Sequence, residues 1–440
     1  MANLSAADVA HLLRRAGFGG TAPEVAALAG QADTAVVDHV LNTAANPAEA
    51  RPPILDTAGP GEDRWQRLLS VRSNWHDRMA TTPTPIVEKM TLFWHGHFTT
   101  SSDAVYRPNS LWQQLTFYRA NALGNFRTLA QGMALQPAML MYLNNDENRK
   151  KSPNQNFARE LLELFLLGVG NYTEAEVFAA AAAWTGHTVD GDYDNDTAAY
   201  VFRADWHDAG AKTFFGKTQN WDGPQIIDEV LDGAASRPAM ARYIVTKLWS
   251  FFAAPNPAPA VVDALAAVFL AGNLELKPVL RAMFLMTEFY SPAVKTGLVR
   301  TPVEYLTAVM RSTGMPAAEI HPEWWLDDMG QQLYNPPNVS GWRPNGYWIS
   351  AAAAAAKASF ADWLTWKLKD KGFLADSASK IPADAVAAAV AAFNVTQPSA
   401  RLLEVLGAWI AGQRAAAGQS WAEPKYLPLL VLLSPDIQLA

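Results

Sequence analysis

Two glutamates and an arginine lie close together in the stretch SPNQNFARELLELFLLGVG, residues 152–170. Glu160 and Glu163 are three positions apart, and Arg159 precedes Glu163 by four, so all three are neighbours on an α-helix. Paired carboxylates either share a cation or repel each other, and burial among apolar neighbours makes an unpaired charge costly. We therefore predict that Glu160 and Glu163 hold a divalent metal ion and that Glu160 and Arg159 act in catalysis. The alternative is an Arg159–Glu163 ion pair, with Glu160 bonded to a neighbouring helix.

Two histidines in the sequence WHGHF, His95 and His97, are further candidate metal ligands. On a strand both imidazoles would share a face, whereas on a regular helix they diverge by about 200°. The surrounding apolar pattern favours a helix, so at most one of the two points at a shared centre. A structural role, bonded to backbone, is the other interpretation.

A third group of polar residues is the sequence ADWHDAGAK, which contains Asp205, His207 and Asp208. A histidine flanked by acids on a loop serves as a metal ligand or as a general base oriented by a carboxylate. We predict a catalytic role for His207 and a metal-ligand role for Asp208; a hydrogen-bonded turn is the alternative.

Four more residues are predicted to line a substrate pocket. Asn154 and Asn156 stand at the entrance of the glutamate helix, and Asn338 and Trp342 belong to YNPPNVSGW. This second sequence falls in a long aromatic loop over residues 321–350, and loops of such length in compact proteins are often functional. Pro-Pro-Asn and Ser-Gly are equally ordinary turn residues.

The composition limits which metals and partners fit the chain. It has no cysteine, so a metal would depend on His, Asp, Glu, Asn or water. The 35 basic and 42 acidic residues give a net charge of −7, which supplies no excess positive charge for nucleic acid. No apolar run reaches the roughly 20 residues needed to cross a bilayer. The N-terminus shows no signal peptide, so we expect a cytoplasmic protein, although export of a trimmed mature chain is equally compatible with the sequence.

The elements that must position these residues are mostly helices. Of the 440 residues, 50% are hydrophobic, enough for a large core, and helical apolar spacing recurs along the chain. Residues 188–217 differ: turn residues and a β-favouring run predict a small hairpin there. We therefore predict a mainly α, bundle-like body, a single large helical domain over 1–440 with a subdivision near the proline-rich residues 253–260.

Seven segments, in order, resemble the bacterial family called Domain of Unknown Function 1800: LLRRAGFGG, EKMTLFWHGHF, NQNFARELLELFLLGVGNYTEAEV, WHDAGAKTFFG, RPAMARY, YNPPNVSGW and LLSPDIQLA. The resemblance covers nearly the whole chain. It implies a sulfatase-like partner protein, because relatives are encoded beside one. It implies no particular reaction.

Two classes of function follow. The first is a metal-dependent enzyme, a hydrolase or an oxidoreductase, that acts on a small organic or peptide substrate in an aromatic-lined cleft. The second is a noncatalytic binding or assembly protein whose polar residues hold helices together. Convergence of the carboxylates and histidines on one pocket would favour the first class. Full engagement of the carboxylates by Arg and Lys side chains would favour the second.

Overall fold

A computed structural model describes residues 3–56, 63–343, 345–416 and 422–440. These ranges are mainly α-helical, which confirms the predicted fold class. The first helices are α1 (Ala6–Arg15), α2 (Ala22–Leu28), α3 (Asp33–Val40), α4 (Arg64–Thr81), α5 (Pro85–His97), α6 (Ser102–Val105), α7 (Pro108–Ala120), α8 (Phe126–Ala134), α9 (Pro137–Tyr142), α10 (Asn156–Glu160) and α11 (Glu174–Ala183). A π-helical turn, Leu161–Leu166, follows α10 directly.

The second half of the chain continues the helical pattern. Its helices are α12 (Gly223–Asp232), α13 (Arg237–Phe252), α14 (Pro259–Ala271), α15 (Leu276–Leu285), α16 (Pro292–Lys295), α17 (Pro302–Thr313), α18 (Ala317–Ile320), α19 (Pro322–Met329), α20 (Ala351–Asp370), α21 (Pro382–Ala392), α22 (Ala400–Ala415), α23 (Glu423–Leu432) and α24 (Pro435–Gln438). Short 3-10 helices cover Pro53–Leu55, Asn145–Glu147, Thr287–Tyr290, Asn345–Ile349 and Ser377–Ser379. The stretch predicted as one long loop over 321–350 therefore contains α19 and a 3-10 helix.

The predicted small β region consists of two hairpins. Strands β1 (His187–Asp190) and β2 (Ala199–Phe202) pair antiparallel, with His187 opposite Phe202. Strands β3 (Lys212–Phe214) and β4 (Lys217–Gln219) pair in the same way, so the second hairpin extends slightly past residue 217.

Local sequence explains where many helices begin. Ser5 and Asp8 form a capping box at α1, and Thr301 and Glu304 form another at α17. Proline occupies the first turn of α5, α7, α9, α13, α14 and α17, where its missing N–H costs no hydrogen bond. None of the helices in the described ranges is both long and apolar enough to cross a membrane.

Helix α5 lies between two clusters of buried apolar side chains. One cluster gathers residues mainly from α1–α3 and α8–α15, the other mainly from α4 and α17–α23. Helix α5 supplies Phe93 and Trp94 to the first cluster and Leu92 to the second. A helix surrounded by protein on all sides must also bury its polar residues, and α5 buries Glu88, Lys89, His95 and His97. These buried polar groups place α5 at the centre of the candidate site.

Three ion pairs made by Glu88 and Lys89 hold α5 against the rest of the molecule. Glu88 accepts hydrogen bonds from Arg78 Nε at 2.7 Å and Arg119 Nε at 2.8 Å. Lys89 pairs with Glu304 of α17. The residues Glu88 and Lys89 therefore fix the position of the helix that carries the histidines.

Candidate functional site

Arg159 does not pair with Glu163. Its guanidinium makes two parallel hydrogen bonds to Glu174, Nη1 to Oε1 and Nη2 to Oε2, each 2.7 Å long. Glu163 instead accepts a hydrogen bond from the Tyr172 hydroxyl. The ion pair between Arg159 and Glu163, which was the alternative to metal binding, is therefore absent. The chain leaves α-helical geometry after Glu160, so the regular four-residue spacing no longer applies.

Glu160 is half-buried and, within the described ranges, makes no side-chain hydrogen bond or ion pair. Burial first and the nearby Glu163 carboxylate second raise its pKa, while Arg159 opposes the shift. No group of three or more His, Cys, Asp or Glu side chains suitable for a metal ion occurs in the part of the chain that the structure describes. The two glutamates thus form a two-carboxylate pair without an evident third ligand.

The π-helical turn connects the glutamate segment to helix α5. Its Leu164 carbonyl accepts a hydrogen bond from the Tyr243 hydroxyl at 2.7 Å. Its Phe165 carbonyl accepts one from His97 Nε2 at 2.9 Å. The two segments thus meet through a backbone carbonyl, and π-helical turns of this kind are frequent at functional sites.

His97 is buried and electrically neutral near neutral pH. Donation to the Phe165 carbonyl places the proton on Nε2 and leaves Nδ1 with a free lone pair. Burial first and the positive charge of Lys247 second lower the pKa of His97 to about 3. A base this weak is poorly matched to proton abstraction at neutral pH.

His95 points away from His97, as expected for two histidines on a regular helix. Its Nε2 accepts the backbone N–H of Tyr334 at 3.1 Å, and its ring stacks on Trp342 with centroids 5.3 Å apart. Burial first and Arg72 second lower its pKa to about 3. His95 therefore holds the loop that carries Trp342.

A pocket opens where α5, α13 and this loop meet, and we call it the α5–α13 pocket. Its volume is about 180 Å³. Its wall consists of Leu92, Phe93, Gly96 and His97 from α5, Lys247, Ser250 and Phe251 from α13, and Thr301, Gln331, Ser340, Trp342, Arg343 and Trp348. Of the predicted site residues, the pocket brings together His97 and Trp342.

Two glycines allow the loop to lie directly against α5. Gly341 has a φ of +78°, a conformation that residues with a Cβ rarely adopt. A Cβ on Gly341 would lie 2.4 Å from the carbonyl oxygen of Gly96. The hydroxyl of Thr99 donates to the Val339 carbonyl beside this contact. The loop wall of the pocket is therefore set by a backbone-to-backbone contact.

Asn338 lies in the same loop but does not line the pocket. It is exposed, and its side-chain oxygen accepts hydrogen bonds from the backbone N–H and hydroxyl of Ser340, at 2.9 and 2.5 Å. This arrangement is a local turn, in line with the ordinary role of Asn at such positions.

The predicted site around His207 is a hydrogen-bonded turn. His207 Nδ1 donates to the Thr185 carbonyl at 2.9 Å, and Asp208 accepts the backbone N–H of Gly210 at 2.8 Å. Lys212 extends along the same turn and donates to the carbonyls of Gly210 and Asp208. Neither His207 nor Asp208 lines the α5–α13 pocket.

Asn154 and Asn156 belong to a network of asparagines. The backbone N–H of Asn154 donates to Asn148 Oδ1 at 2.8 Å, and Asn154 Oδ1 accepts the backbone N–H of Asn156 at 2.9 Å. Asn148 is fully buried and also binds the Ala181 carbonyl. These residues shape the entrance to α10 and contribute no wall to the pocket.

Two pocket residues were missed in the sequence: Lys247 and Arg343. Both are exposed and line the pocket, and no carboxylate in the described ranges pairs with either. Partial desolvation by the surrounding protein lowers the pKa of Lys247. A single lysine or arginine in a sequence is usually a solvated surface residue. The one feature that could have pointed to a pocket residue was the position of Arg343 next to Trp342.

A comparison with known protein families identifies the same family as the seven sequence segments. The family described as "Protein of unknown function (DUF1800)" matches residues 11–439. No curated protein and no solved structure matches the chain.

Proposed function

We propose that this chain, which belongs to the DUF1800 family, binds a small organic anion in the α5–α13 pocket. The observation that carries the proposal is the charge of the wall. Lys247 and Arg343 both line the pocket, and no Asp or Glu lines it in the described ranges. Unpaired cations in a concave, partly desolvated site favour a ligand that brings the missing negative charge.

The remainder of the wall favours a ligand with an apolar body. Phe93, Phe251, Trp342 and Trp348 present aromatic surface, and Phe93 and Phe251 pack edge to face with centroids 5.3 Å apart. Pockets of this type bind ligands by apolar contact and orient them by a few polar groups. A carboxylate, sulfate or phosphate group on a small aromatic or aliphatic body combines both properties.

The state of His97 favours binding over catalysis. With a pKa of about 3 it is uncharged near neutral pH, so it adds no positive charge to the wall. Its proton is committed to the Phe165 carbonyl. Lys247 and Arg343 are thus the two charged groups that a ligand meets, and we propose a binding protein as the primary function.

Benzoate and its neutral analogue benzamide test the proposal. We expect benzoate to quench the fluorescence of the pocket tryptophans and to bind at least about tenfold more tightly than benzamide, since a charge-assisted hydrogen bond is worth about 1.5–3 kcal/mol. Lys247→Gln should remove most of this preference. The measurement is fluorescence titration, checked by calorimetry.

Lys277→Gln is the matched control, because Lys277 is an exposed lysine on α15 outside the pocket. It should bind benzoate like the parent. Equal affinities for benzoate and benzamide, or equal effects of the two lysine substitutions, would disprove anion binding in this pocket.

A metal-dependent enzyme, a hydrolase or oxidoreductase acting on a small organic or peptide substrate, is the second candidate. The observation that favours it is the half-buried Glu160, which has no hydrogen-bond partner in the described ranges and whose pKa is raised by burial and by Glu163. A divalent cation between the two carboxylates would relieve both effects. Two protein ligands would leave the other coordination positions to water or substrate.

Replacement of Glu160 by Gln tests this candidate. The change preserves shape and removes one negative charge, so bound metal should fall, while the metal-free protein should be as stable as the parent or more stable because the repulsion from Glu163 is gone. Elemental analysis and thermal unfolding with and without chelator measure both effects. A parent protein that carries no metal and does not respond to added divalent ions would rule this candidate out.

A further inference from the structure

A group of buried cations surrounds the glycine-containing turn after α1. Arg14 and Arg15 end α1, and Arg300 lies just before α17. Burial first and then Arg14 lower the pKa of Arg300 to about 10, and burial followed by Arg14 lowers that of Arg15 to about 9. Two carboxylates lie near this group. Glu304 of α17 is already paired with Lys89, and Asp436 of α24, which is hydrogen-bonded to Ser399, opposes the fall in the pKa of Arg14. Positive charge therefore exceeds negative charge here.

Two guanidinium nitrogens in this group, both of Arg15, are buried without a partner in the described ranges. Arg15 donates one hydrogen bond, from Nη2 to the Val294 carbonyl at 2.5 Å, and its Nε and Nη1 are buried without any partner in the described ranges. Arg300 is 7% exposed and donates from Nη1 to the Ile437 carbonyl at 3.1 Å. Burial of charged donors without hydrogen-bond partners is costly, so an anion bound beside the group would stabilise it.

Arg300, but neither Arg14 nor Arg15, lines a cavity of about 100 Å³, which we call the Arg300 cleft. Its polar lining residues are Gly19, Thr21, Thr81, Arg300, Arg311 and Asn394. No Asp or Glu lines it in the described ranges. Gly19 has a φ of +111°, and a Cβ on it would lie 3.5 Å from Arg300 Nη2, so the turn packs closely on this guanidinium.

Arg311 faces the cleft opposite the N-terminal turn. Its Nη1 donates to the carbonyls of Met79, Ala80 and Thr82 at the end of α4, at 3.1–3.4 Å, which leaves Nε and Nη2 for another acceptor. Burial lowers its pKa, and Glu24 opposes this only from beyond ion-pair distance. The cleft thus presents two guanidinium groups without a carboxylate partner.

We propose that the Arg300 cleft binds a tetrahedral oxyanion, phosphate or sulfate, between the guanidinium groups of Arg300 and Arg311. The planar donor fork of arginine matches the oxygens of such anions. The additional positive charges of Arg14 and Arg15 strengthen the attraction without direct contact. This site is separate from the α5–α13 pocket and does not depend on the function proposed for it.

Thermal unfolding at constant ionic strength tests the proposal. With sodium chloride replaced stepwise by sodium phosphate or sodium sulfate, the melting temperature of the parent should rise with the logarithm of anion concentration once the site begins to fill. Arg311→Gln should weaken the anion at least about tenfold, and Arg311→Lys less. Arg14→Gln, which removes only distant charge, should weaken it by a smaller factor.

Arg311 also holds the end of α4, so Arg311→Gln is expected to lower the melting temperature by itself. The deciding readout is therefore the dependence on anion concentration, which a purely structural arginine would leave unchanged. Arg401→Gln is the matched control, since its side chain is 76% exposed and pairs only with Glu404. Lys247→Gln should keep the full response, which separates this test from that of the α5–α13 pocket.

Phenyl phosphate distinguishes two sources of the same chemistry. A response equal to that of inorganic phosphate supports the site and identifies its ligand as the end group of an ester. A response to inorganic phosphate and sulfate but not to phenyl phosphate supports the site and identifies its ligand as a free anion. A melting temperature that follows ionic strength only, or Arg311→Gln protein that responds like the parent, would overturn the proposal.

Discussion

Acidification from pH 8 to pH 5 is expected to unfold this protein or bring it to the edge of unfolding. Burial lowers the pKa of five histidines: His11 to about 2, His76, His95 and His97 to about 3, and His187 to about 4. In the unfolded chain each returns to its ordinary value near 6.5. The unfolded state therefore binds more protons at every pH below about 6.5.

This difference in proton binding determines the direction and the size of the change in stability. A base whose pKa is lowered by folding stabilises the folded state fully above its unfolded pKa, and the stability is lost as the pH falls towards the folded pKa. At pH 5 each histidine costs about 2 kcal/mol, so five cost about 10 kcal/mol. That equals the whole free energy of unfolding of a typical domain, which is about 5–15 kcal/mol.

Urea unfolding at a series of pH values between 8 and 5 measures the effect. His76→Phe is the informative variant, because both ring nitrogens of His76 are buried without a partner in the described ranges. This variant should fold. Its free energy of unfolding should fall less steeply with decreasing pH, because about one proton fewer is taken up on unfolding. Asp146, whose pKa burial raises to about 6, acts in the opposite direction and reduces the total slightly. A free energy of unfolding that is constant from pH 8 to 5 would contradict the prediction.

Glu88→Gln should cost about 3–5 kcal/mol of stability, the typical result of removing one partner from a buried ion-pair network. Glu88 is fully buried and accepts hydrogen bonds from Arg78, Arg119 and Trp75 Nε1, the last at 2.9 Å. The neutral amide would leave two guanidinium groups without their shared counter-charge. Arg119 keeps its second partner Glu49, which limits the loss.

Denaturant unfolding at neutral pH checks this expectation. Glu404→Gln is the matched control, because the exposed Arg401–Glu404 pair on α22 resembles many surface pairs that contribute nothing measurable. The control should unfold like the parent. If Glu88→Gln unfolds at the same denaturant concentration as the control, the network around Glu88 does not stabilise α5.

Helical periodicity and capping residues were sufficient to predict the mainly α fold. At α11, for example, Thr173 and Glu176 have the spacing of a capping box, and the structure shows one there. The π-helical turn after Glu160 was not predicted, because the run ELLELFLL favours an ordinary α-helix and no local signal marks the extra residue in the turn. The alternative of an Arg159–Glu163 ion pair assumed regular helical spacing through Glu163, which this turn does not have.

Partners distant in the chain explain most of what the sequence could not show. In the sequence Glu88 is an ordinary residue in the first turn of a helix, whereas its ion-pair partner Arg119 lies 31 positions later. The pocket shows the same limit: Trp342 could be proposed from its loop, but Lys247 becomes significant only once α13 is placed beside it. Residue type and spacing identify groups within one element, and only the tertiary arrangement identifies which elements face each other.

The contact between Gly341 and Gly96 limits which features of the α5–α13 pocket a substitution can change. Because backbone meets backbone there, the separation of the loop from α5 is set by main-chain atoms and not by the side chains of the wall. Substitutions at Lys247 or Arg343 should therefore change the charge of the wall without changing the width of the opening. If the pocket binds the anion proposed above, its charge preference and its shape can be altered independently.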